Sequence, residues 1–355
     1  MIAIGIPSYN EADNIGQLTS QIDAIAVELN MPIIIINADN TSPDKTAEIF
    51  KSTKTINPKI SLMSAKKGKG HNIYKIVQYI ANHSEIIYCI LVDGDVTSFD
   101  KSWLTTHLTA AQELSDFTVP NYARNWNEGN TTNHFVFPLL NHYTQNNSPI
   151  QPISGDFGLS RSYIRFLNKL NWPNSSLGYG VDLFLTMNAL FNNMQVVEIN
   201  LKRKIHKPSF DKMVNMFIEV AESYYQMRKT LSFKNDVRFK KANDNTPKLL
   251  TGRPINLKKL ADLSDYAKSL LNSRKESLIK SHKYQSKISS VEWVEILLVH
   301  EANIDNFDSH YLAKSLLPYF LLRTVTYLSE ITTPQEALTE LKDQTIKLDK
   351  ELKQL

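Results

Sequence analysis

Short apolar runs alternate with helical patterns through about the first 200 residues of the chain. Runs rich in branched aliphatic residues, such as 2–6 and 86–92, predict buried strands, and apolar residues at three- and four-residue intervals between them predict helices. This alternation is typical of parallel βαβ units covered by helices, so we expect a Rossmann-like α/β domain. The predicted strands are 2–6, 32–37, 60–64, 86–92, 116–120 and 196–201, and the predicted helices are 14–29, 44–53 and 71–82.

The pattern changes at about Phe210. Long amphipathic segments at 213–231 and 311–331 predict helices, and a polar stretch at 234–247 separates them. The terminal segment 336–355 is charged and leucine-spaced, which predicts a helix on the surface or against a partner. We therefore expect an α/β domain over residues 1–210 and a mainly helical region over residues 211–355, a candidate for homodimer contacts or for the acceptor side of a site.

Composition and charge narrow the class of protein. The 355 residues are 42% hydrophobic and 21% charged, which suits well-buried cores, and the net charge of +4 is too small to indicate nucleic-acid binding. The single cysteine, Cys89, lies inside an apolar run, so it indicates neither a disulfide framework nor a thiolate metal site. No uncharged run approaches the roughly 20 residues of a membrane helix, and no basic leader precedes the first strand pattern. We expect a cytoplasmic protein without a membrane span.

The triplet Asp93-Gly94-Asp95 directly follows the apolar run 86–92. Two carboxylates one residue apart at the end of a buried strand can converge on a hard divalent cation that bridges a diphosphate. Taken alone, the triplet is better explained as a solvated turn, because Asp-x-Asp is a common sequence.

Three further turns follow the first three predicted strands, namely 7–13, 37–46 and 66–70. The carboxyl ends of parallel strands meet at one edge of the sheet, where ligands bind in open α/β folds. The polar residues of the first turn suit either a ligand or a helix cap. Asp39 can accept a hydrogen bond from a base or a ribose hydroxyl, and the lysines and glycines of 66–70 suit phosphate. Four such turns in this order favour a site for a nucleotide and a metal.

In this order the motifs resemble those of GT-A glycosyltransferases of the family-2 kind, which use nucleotide sugars. Within that class the chain is most similar to the retaining group of glucosyl-3-phosphoglycerate synthase and mannosylglycerate synthase. The residues that carry the resemblance span about the first 210 positions: 7–11, 39–46, 68–70, 93–95, 151–156, 178–182 and His206. The resemblance implies a GT-A catalytic domain over 1–210 that binds a nucleotide sugar.

The resemblance also implies roles for individual residues. Lys69 would approach the diphosphate, and Gly94 would lie in the donor-binding turn. The residues implied to hold the nucleoside are Pro7, Tyr9, Glu11 and Asp39, and those implied to hold Mg²⁺ or Mn²⁺ are Asp93, Asp95 and His206. UDP-glucose and GDP-mannose are both admissible donors.

Asp182 and Asp156 are the catalytic candidates beside Lys69. In the retaining group the acidic position that Asp182 matches contacts hydroxyls of the donor sugar, and the leaving phosphate takes the acceptor proton. In an inverting reaction, Asp182 or Asp156 would be the general base. A nucleotidyltransferase is disfavoured because its glycine-rich, arginine-containing signature is absent. A non-catalytic sugar-nucleotide binder is disfavoured because all three implied metal ligands are present.

The residues predicted to bind the acceptor lie in the stretch 121–140 and at Gly155. Arg124, Asn130 and Thr131 are the predicted acceptor-binding residues, and Asn130 stands where the resembled group places an arginine for the acceptor's charged groups. Arg124 could compensate for that change. Phosphoglycerate, glycerate, a sugar and a protein side chain all stay open as acceptors.

Overall fold

The computed structural model describes residues 1–207, 212–233, 237–242, 249–273, 278–279 and 286–355. The chain divides into two compact units. The first unit comprises 1–123, 151–211 and 237–247, and the second comprises 124–150, 212–236 and 248–355. A single boundary near residue 210 was expected; residues 124–150 instead group with the C-terminal segments, so both units are assembled from separate stretches of chain.

Within the described residues, the first unit is built on an eight-stranded sheet of order β3-β2-β1-β4-β6-β5-β7-β8. Only β6 is antiparallel to its neighbours, β4 and β5. The six predicted strands are present, five with shifted ends and the one at 196–201 as predicted, whereas β6 and β8 were not predicted because they contain three and two residues. The strands are β1 Ile2–Ser8, β2 Ile33–Asp39, β3 Lys59–Met63, β4 Tyr88–Leu91, β5 Phe117–Tyr122, β6 Gly158–Ser160, β7 Val196–Leu201 and β8 Phe239–Lys240.

Helices cover the sheet and fix the positions of the turns at its edge. The first unit contains α1 Ile15–Glu28, α2 Thr46–Ser52, α3 Lys69–Ala81, α4 Lys101–Gln112, α6 Arg161–Leu167 and α7 Val181–Phe191, with a 3₁₀ helix at Asn174–Leu177. The central strands are buried along nearly their whole length, as expected for a parallel sheet covered on both faces. In the parallel register Ser8 lies beside Asp39, and Asp39 beside Met63. The turns after β1, β2, β3 and β4 therefore open at one carboxyl edge.

The second unit is helical in its described parts, and α11 lies at its centre. It contains a π-helix at Thr132–Val136 followed by α5 Phe137–Tyr143, α8 Met213–Thr230, α9 Leu257–Asn272, α10 Ser290–Glu301, α11 Ser309–Glu330 and α12 Pro334–Leu352. Phe320 of α11 stacks on Phe217 of α8 with ring centroids 3.8 Å apart, and the buried Arg323 pairs with Glu340 of α12 at 2.6 Å.

The predicted mixed α/β fold with a helical C-terminal part is confirmed, including the helices expected at 213–231, 311–331 and 336–355. Most of the polar stretch 234–247 lies outside the described residues. Every helix in the described ranges is too short or too polar to cross a bilayer.

Candidate active site at the carboxyl edge of the sheet

The acidic turn after β4 is held in place by Asn14. The Asn14 Nδ2 donates hydrogen bonds to the carbonyls of Gly94 at 2.8 Å and Val96 at 2.9 Å, and the Gly94 N–H donates to the Pro7 carbonyl at 3.3 Å. Asn14 precedes α1 but does not cap it with its side chain. Sequence alone does not reveal this role, because an asparagine before a helix has the pattern of a cap.

Five charged side chains form a continuous chain of ion pairs, which we call the acid–lysine chain. The Lys69 Nζ lies 3.0 Å from Asp182 Oδ2 and 2.8 Å from Asp93 Oδ1. The Lys204 Nζ lies 2.7 Å from Asp93 Oδ2 and 2.5 Å from Asp156 Oδ2. None of the five side chains is more than 20% exposed. Three carboxylates and two ammonium groups from distant parts of the sequence thus meet at the predicted ligand edge.

The contact between Lys69 and Asp182 depends on a close approach of α3 to the 3₁₀ helix. A Cβ on Gly70 would lie only 2.1 Å from the Ser176 carbonyl oxygen, so only glycine allows this packing. The Gly70 N–H donates to the Gly178 carbonyl at 3.1 Å. This packing brings the first residue of α3, Lys69, against Asp182 in the first turn of α7.

Burial and ion pairing set the charges in the acid–lysine chain. Burial would raise the pKa of Asp93, but Lys204 and Lys69 outweigh it and hold that pKa well below its usual range. Burial would lower the pKa of both lysines, yet the surrounding carboxylates raise them. For Asp182 burial dominates over the attraction of Lys69 and raises the pKa to about 6. At neutral pH Asp93 is ionised and both lysines are protonated. The pKa of Asp182, about 6, lies just below neutral pH.

The two ends of the acid–lysine chain differ. Asp156 is 1% exposed, and both of its oxygens are engaged: Oδ1 accepts the Asp93 N–H at 2.7 Å, and Oδ2 accepts the Tyr122 hydroxyl at 2.8 Å beside Lys204. The buried Asp182 Oδ1 has no hydrogen-bond partner among the described residues. Asp182 is therefore the end that is open to a ligand, and Asp156 is the closed end.

Gly155 lies directly against the acid–lysine chain. A Cβ at this position would be 2.7 Å from Asp93 Oδ2 and 3.2–3.3 Å from the ammonium groups of Lys69 and Lys204, and its φ of +70° also favours glycine. Gly155 was predicted to bind the acceptor. In the structure its nearest functional neighbours are the predicted donor-binding groups Asp93 and Lys69.

Residues 202–207 after β7, which we call the basic strap, run along the same edge. The Thr97 N–H donates to the Ile205 carbonyl at 2.9 Å, and the Ile205 N–H donates to Ser98 Oγ at 2.9 Å. These bonds place His206 beside the residues that follow Asp95. The strap's three lysines pair with acids of separate loops: Lys202 with Asp100, Lys204 with Asp93 and Asp156, and Lys207 with Glu11 and Asp13.

The three predicted metal ligands, Asp93, Asp95 and His206, have different neighbours in the structure. The His206 Nδ1–H donates to the Lys207 carbonyl at 2.8 Å, which leaves Nε2 as the ligand atom, an arrangement typical of metal-binding histidines. The Asp95 carboxylate lies near Glu11 and contributes to the raised pKa of that residue. Both oxygens of Asp93 are instead paired with lysines. Across the described ranges no three histidine, cysteine, aspartate or glutamate side chains come together as a metal site. Asp95 and His206 therefore remain the predicted protein ligands whose donor atoms are not held by lysines.

The predicted nucleoside-binding residues lie in neighbouring turns after β1 and β2. Asp39 is fully buried, and its carboxylate closes its own turn by accepting the Ser42 N–H at 2.7 Å and the Ser42 hydroxyl at 2.6 Å. Tyr9 is half-buried beneath the Lys67 ammonium, 4.9 Å from the ring centroid. Burial raises the pKa of Glu11 against the opposing ion pair with Lys207. The two turns lie side by side at the carboxyl edge of the sheet. Both carboxylate oxygens of Asp39 already accept hydrogen bonds within its own turn.

Two buried asparagines tie three of these turns together and were not predicted. The Asn40 Nδ2 donates to Asn72 Oδ1 at 2.8 Å, and the Asn72 Nδ2 donates to the Ser8 carbonyl at 2.9 Å. The Gly68 N–H donates to Asn40 Oδ1 at 3.3 Å. The turns after β1 and β2 and the start of α3 are thereby held in a fixed arrangement.

The other predicted acceptor residues lie in the second unit. Arg124 is half-buried, and one of its terminal nitrogens donates to Asn133 Oδ1. Its Nε is buried and has no partner among the described residues. Burial lowers the pKa of Arg124 to about 10, because its effect outweighs the opposing influence of Tyr327 and Glu128. Asn130 Oδ1 is likewise buried without a described partner, and Thr131 precedes the π-helix.

Comparison with known proteins relates the first part of the chain to one family. Residues 3–170 match the family model described as glycosyl transferase family 2. No curated protein has a significant sequence match to the chain.

Solved structures share the fold at low sequence identity. Glucosyl-3-phosphoglycerate synthase from Mycobacterium tuberculosis, in complex with Mn²⁺, UDP-glucose and phosphoglyceric acid, has a TM-score of 0.52 and 18% identity over 64% of this chain and 79% of its own. Mannosyl-3-phosphoglycerate synthase from Rubrobacter xylanophilus has a TM-score of 0.52 and 16% identity over 64% of this chain and 74% of its own. These similarities confirm the predicted GT-A fold.

Proposed function

We propose that this glycosyltransferase, whose residues 3–170 match the family 2 model, transfers a hexose from a nucleoside-diphosphate sugar to a small hydroxyl acceptor. The transfer proceeds with retention of the anomeric configuration. One observation carries this proposal: the acid–lysine chain, with two buried ammonium groups and one unpartnered carboxylate oxygen at the ligand edge of the sheet. UDP-glucose and GDP-mannose are the candidate donors.

The lysines supply the charge that a departing diphosphate requires. Lys69 and Lys204 are protonated and held by Asp93, so their positions are set before the substrate arrives. Preorganised positive charge in a water-poor site stabilises the developing negative charge of a leaving group. Lys69 and Lys204 therefore bind the diphosphate, and Asp93 orients both of them.

Asp95 and His206 would hold a divalent cation at the same edge. Glucosyl-3-phosphoglycerate synthase has been solved with Mn²⁺ and with Mg²⁺, in each case together with UDP. When bound, such a cation neutralises diphosphate charge as a Lewis acid. The imidazole and carboxylate donors suit Mn²⁺ as well as Mg²⁺, and the Lys207 carbonyl fixes the tautomer of His206 that leaves Nε2 free.

The position of Asp182 supports retention. Its Oδ2 contacts Lys69. If Lys69 binds the departing diphosphate as proposed, the Asp182 carboxylate lies on the leaving-group side of the sugar. The base of an inverting reaction must lie on the opposite side. Asp182 then accepts hydrogen bonds from hydroxyls of the donor sugar, and the leaving phosphate oxygen takes the acceptor's proton. Inversion is the second candidate, because an unpartnered oxygen and a pKa of about 6 would also suit a general base.

The acceptor carries an acidic group on this proposal. Arg124 is half-buried with a buried Nε, and no carboxylate in the described residues forms a close ion pair with it, although buried charges are normally paired. A carboxylate or phosphate would satisfy its unpartnered Nε. Glycerate and 3-phosphoglycerate are the simplest hydroxyl acceptors with such groups.

Removing a metal ligand is expected to change the dependence on the cation. Asp95→Ala and His206→Ala should each raise the Mn²⁺ concentration for half-maximal UDP release from UDP-glucose, or GDP release from GDP-mannose, by about tenfold or more. The control is His310→Ala, which removes a histidine paired with Glu222 at the surface of the second unit. An unchanged Mn²⁺ dependence in both ligand variants would refute the assignment.

The stereochemistry of the product tests retention directly. Both donors are α-linked, so ¹H NMR should show an α-glycoside with glycerate or 3-phosphoglycerate as acceptor. Without an acceptor, slow hydrolysis should release the α-anomer of the sugar before mutarotation. A β-product would establish inversion and make Asp182 the leading candidate for the base.

A further inference from the structure

We propose that Asp156 and Tyr122 are positioning residues that fix the Lys204 ammonium against Asp93, and that Asp156 is not a general base. This inference rests on the proposed function, since it concerns how Lys204 meets the departing diphosphate. It is carried by the hydrogen bonds around Asp156 and by the unusual backbone that presents it.

Asp156 occupies a conformation that has to be held by its surroundings. Its φ is +54°, and it follows Gly155 at +70°. Left-handed backbone is uncommon for residues other than glycine, and it persists where neighbouring contacts enforce it. The side chain is 1% exposed, and both of its oxygens accept hydrogen bonds. Both oxygens are thus engaged within the protein, and the carboxylate has almost no exposed surface from which to take a proton from a substrate.

The groups that Asp156 contacts all belong to the leaving-group side of the site. Its Oδ1 accepts the Asp93 N–H at 2.7 Å and so fixes the backbone of the acidic turn. Its Oδ2 lies 2.5 Å from the Lys204 Nζ and 2.8 Å from the Tyr122 hydroxyl. The Lys204 ammonium also donates a hydrogen bond to the Ser154 carbonyl at 3.1 Å. The same ammonium lies 5.6 Å from the centroid of the Tyr122 ring.

These contacts determine where the Lys204 charge lies. A lysine carries its ammonium on a flexible four-carbon chain, so a single ion pair with Asp93 would leave the ammonium free to move. Asp156 and the Ser154 carbonyl add two further contacts, and the Tyr122 ring lies near the same ammonium, so that the cation is held in one place. A charge fixed before the reaction needs no reorganisation in the transition state. Asp156 thus acts on the reaction through Lys204.

A double-mutant cycle tests this dependence. Asp156→Asn keeps the shape of the side chain and removes its charge, and it should lower kcat for UDP or GDP release by about 10- to 100-fold, with a smaller change in the donor KM. In a Lys204→Met background the same substitution should change kcat by less than about twofold, because its effect passes through the missing ammonium. Tyr122→Phe should lower kcat in the wild-type protein and add little to Asp156→Asn.

Melting temperatures of all variants accompany the kinetics, and Tyr122→Phe carries the test if Asp156→Asn does not fold. An equal loss of kcat from Asp156→Asn or Tyr122→Phe with and without Lys204 would overturn the inference while leaving the proposed function intact. A wild-type protein that turns over neither donor with Mn²⁺ would overturn both.

Discussion

Lys69→Met is expected to reduce kcat for release of the nucleoside diphosphate by about 100- to 1000-fold, the loss seen when one preorganised transition-state donor is removed. Lys69 contacts Asp93 at 2.8 Å and Asp182 at 3.0 Å and is protonated at neutral pH. Its removal takes a positive charge from the leaving group and leaves two buried carboxylates without their common partner. Steady-state turnover of UDP-glucose and GDP-mannose measures the effect.

Lys66→Met is the matched control for this variant. Lys66 lies three residues earlier in the same turn and is exposed. Its backbone carbonyl accepts the Asn40 Nδ2 hydrogen bond, which a change of side chain leaves in place. The control should keep turnover within about twofold of the wild type, as expected for a surface substitution away from the site. Equal losses from both substitutions would point to a general effect of positive charge in this turn and would remove Lys69 from its proposed role.

The second large effect is expected at Asp182, and it depends on pH. Burial raises the pKa of Asp182 to about 6, so the carboxyl is protonated below that pH and ionised above it. Only the ionised form accepts hydrogen bonds from sugar hydroxyls with both oxygens. In the wild type kcat/KM for the donor should therefore rise from about pH 5 to pH 7 and then level off, because kcat/KM reports groups of the free enzyme.

Asp182→Asn should remove this step and lower kcat/KM at pH 7 by about 100-fold, since a charged acceptor beside the reacting sugar is replaced by an amide. Asp265→Asn, an exposed aspartate on α9, serves as the control and should keep the wild-type profile. If Asp182→Asn retained the rise near pH 6, another group would have to account for the titration, and the assignment of Asp182 to the sugar would lose its support.

The basic strap connects the parts of the site that these predictions address. Its lysines pair with acids from the β1–α1 turn, the acidic turn after β4, the loop before β6 and the start of α4. His206 lies in the same six residues. One short segment therefore contributes both a candidate metal ligand, His206, and a candidate leaving-group cation, Lys204. Its other two lysines pair with acids of neighbouring loops.

Local patterns in the sequence were enough to predict six strands, several of the helices and the turns at the sheet edge. Alternation of apolar runs with helical spacing is set by neighbouring residues, so 2–6, 32–37 and 86–92 predict strands without knowledge of the rest of the chain. The order of the turns was sufficient to indicate a nucleotide and metal site that includes Lys69 and Asp93, and the resemblance to GT-A glycosyltransferases added the fold and Asp182.

Only the tertiary structure decided which side chains meet. Lys204 pairs with Asp93 across 111 positions, and Lys69 with Asp182 across 113. Such contacts depend on strand order and on the antiparallel insertion of the three-residue β6, which leaves almost no pattern in the sequence. For the same reason the sequence could not show that Asp93 is held by lysines, that Asp156 is fully hydrogen-bonded, or that 124–150 joins the second unit. Periodicity is a local property of a chain, whereas the neutralisation of buried charge depends on partners that only folding brings together.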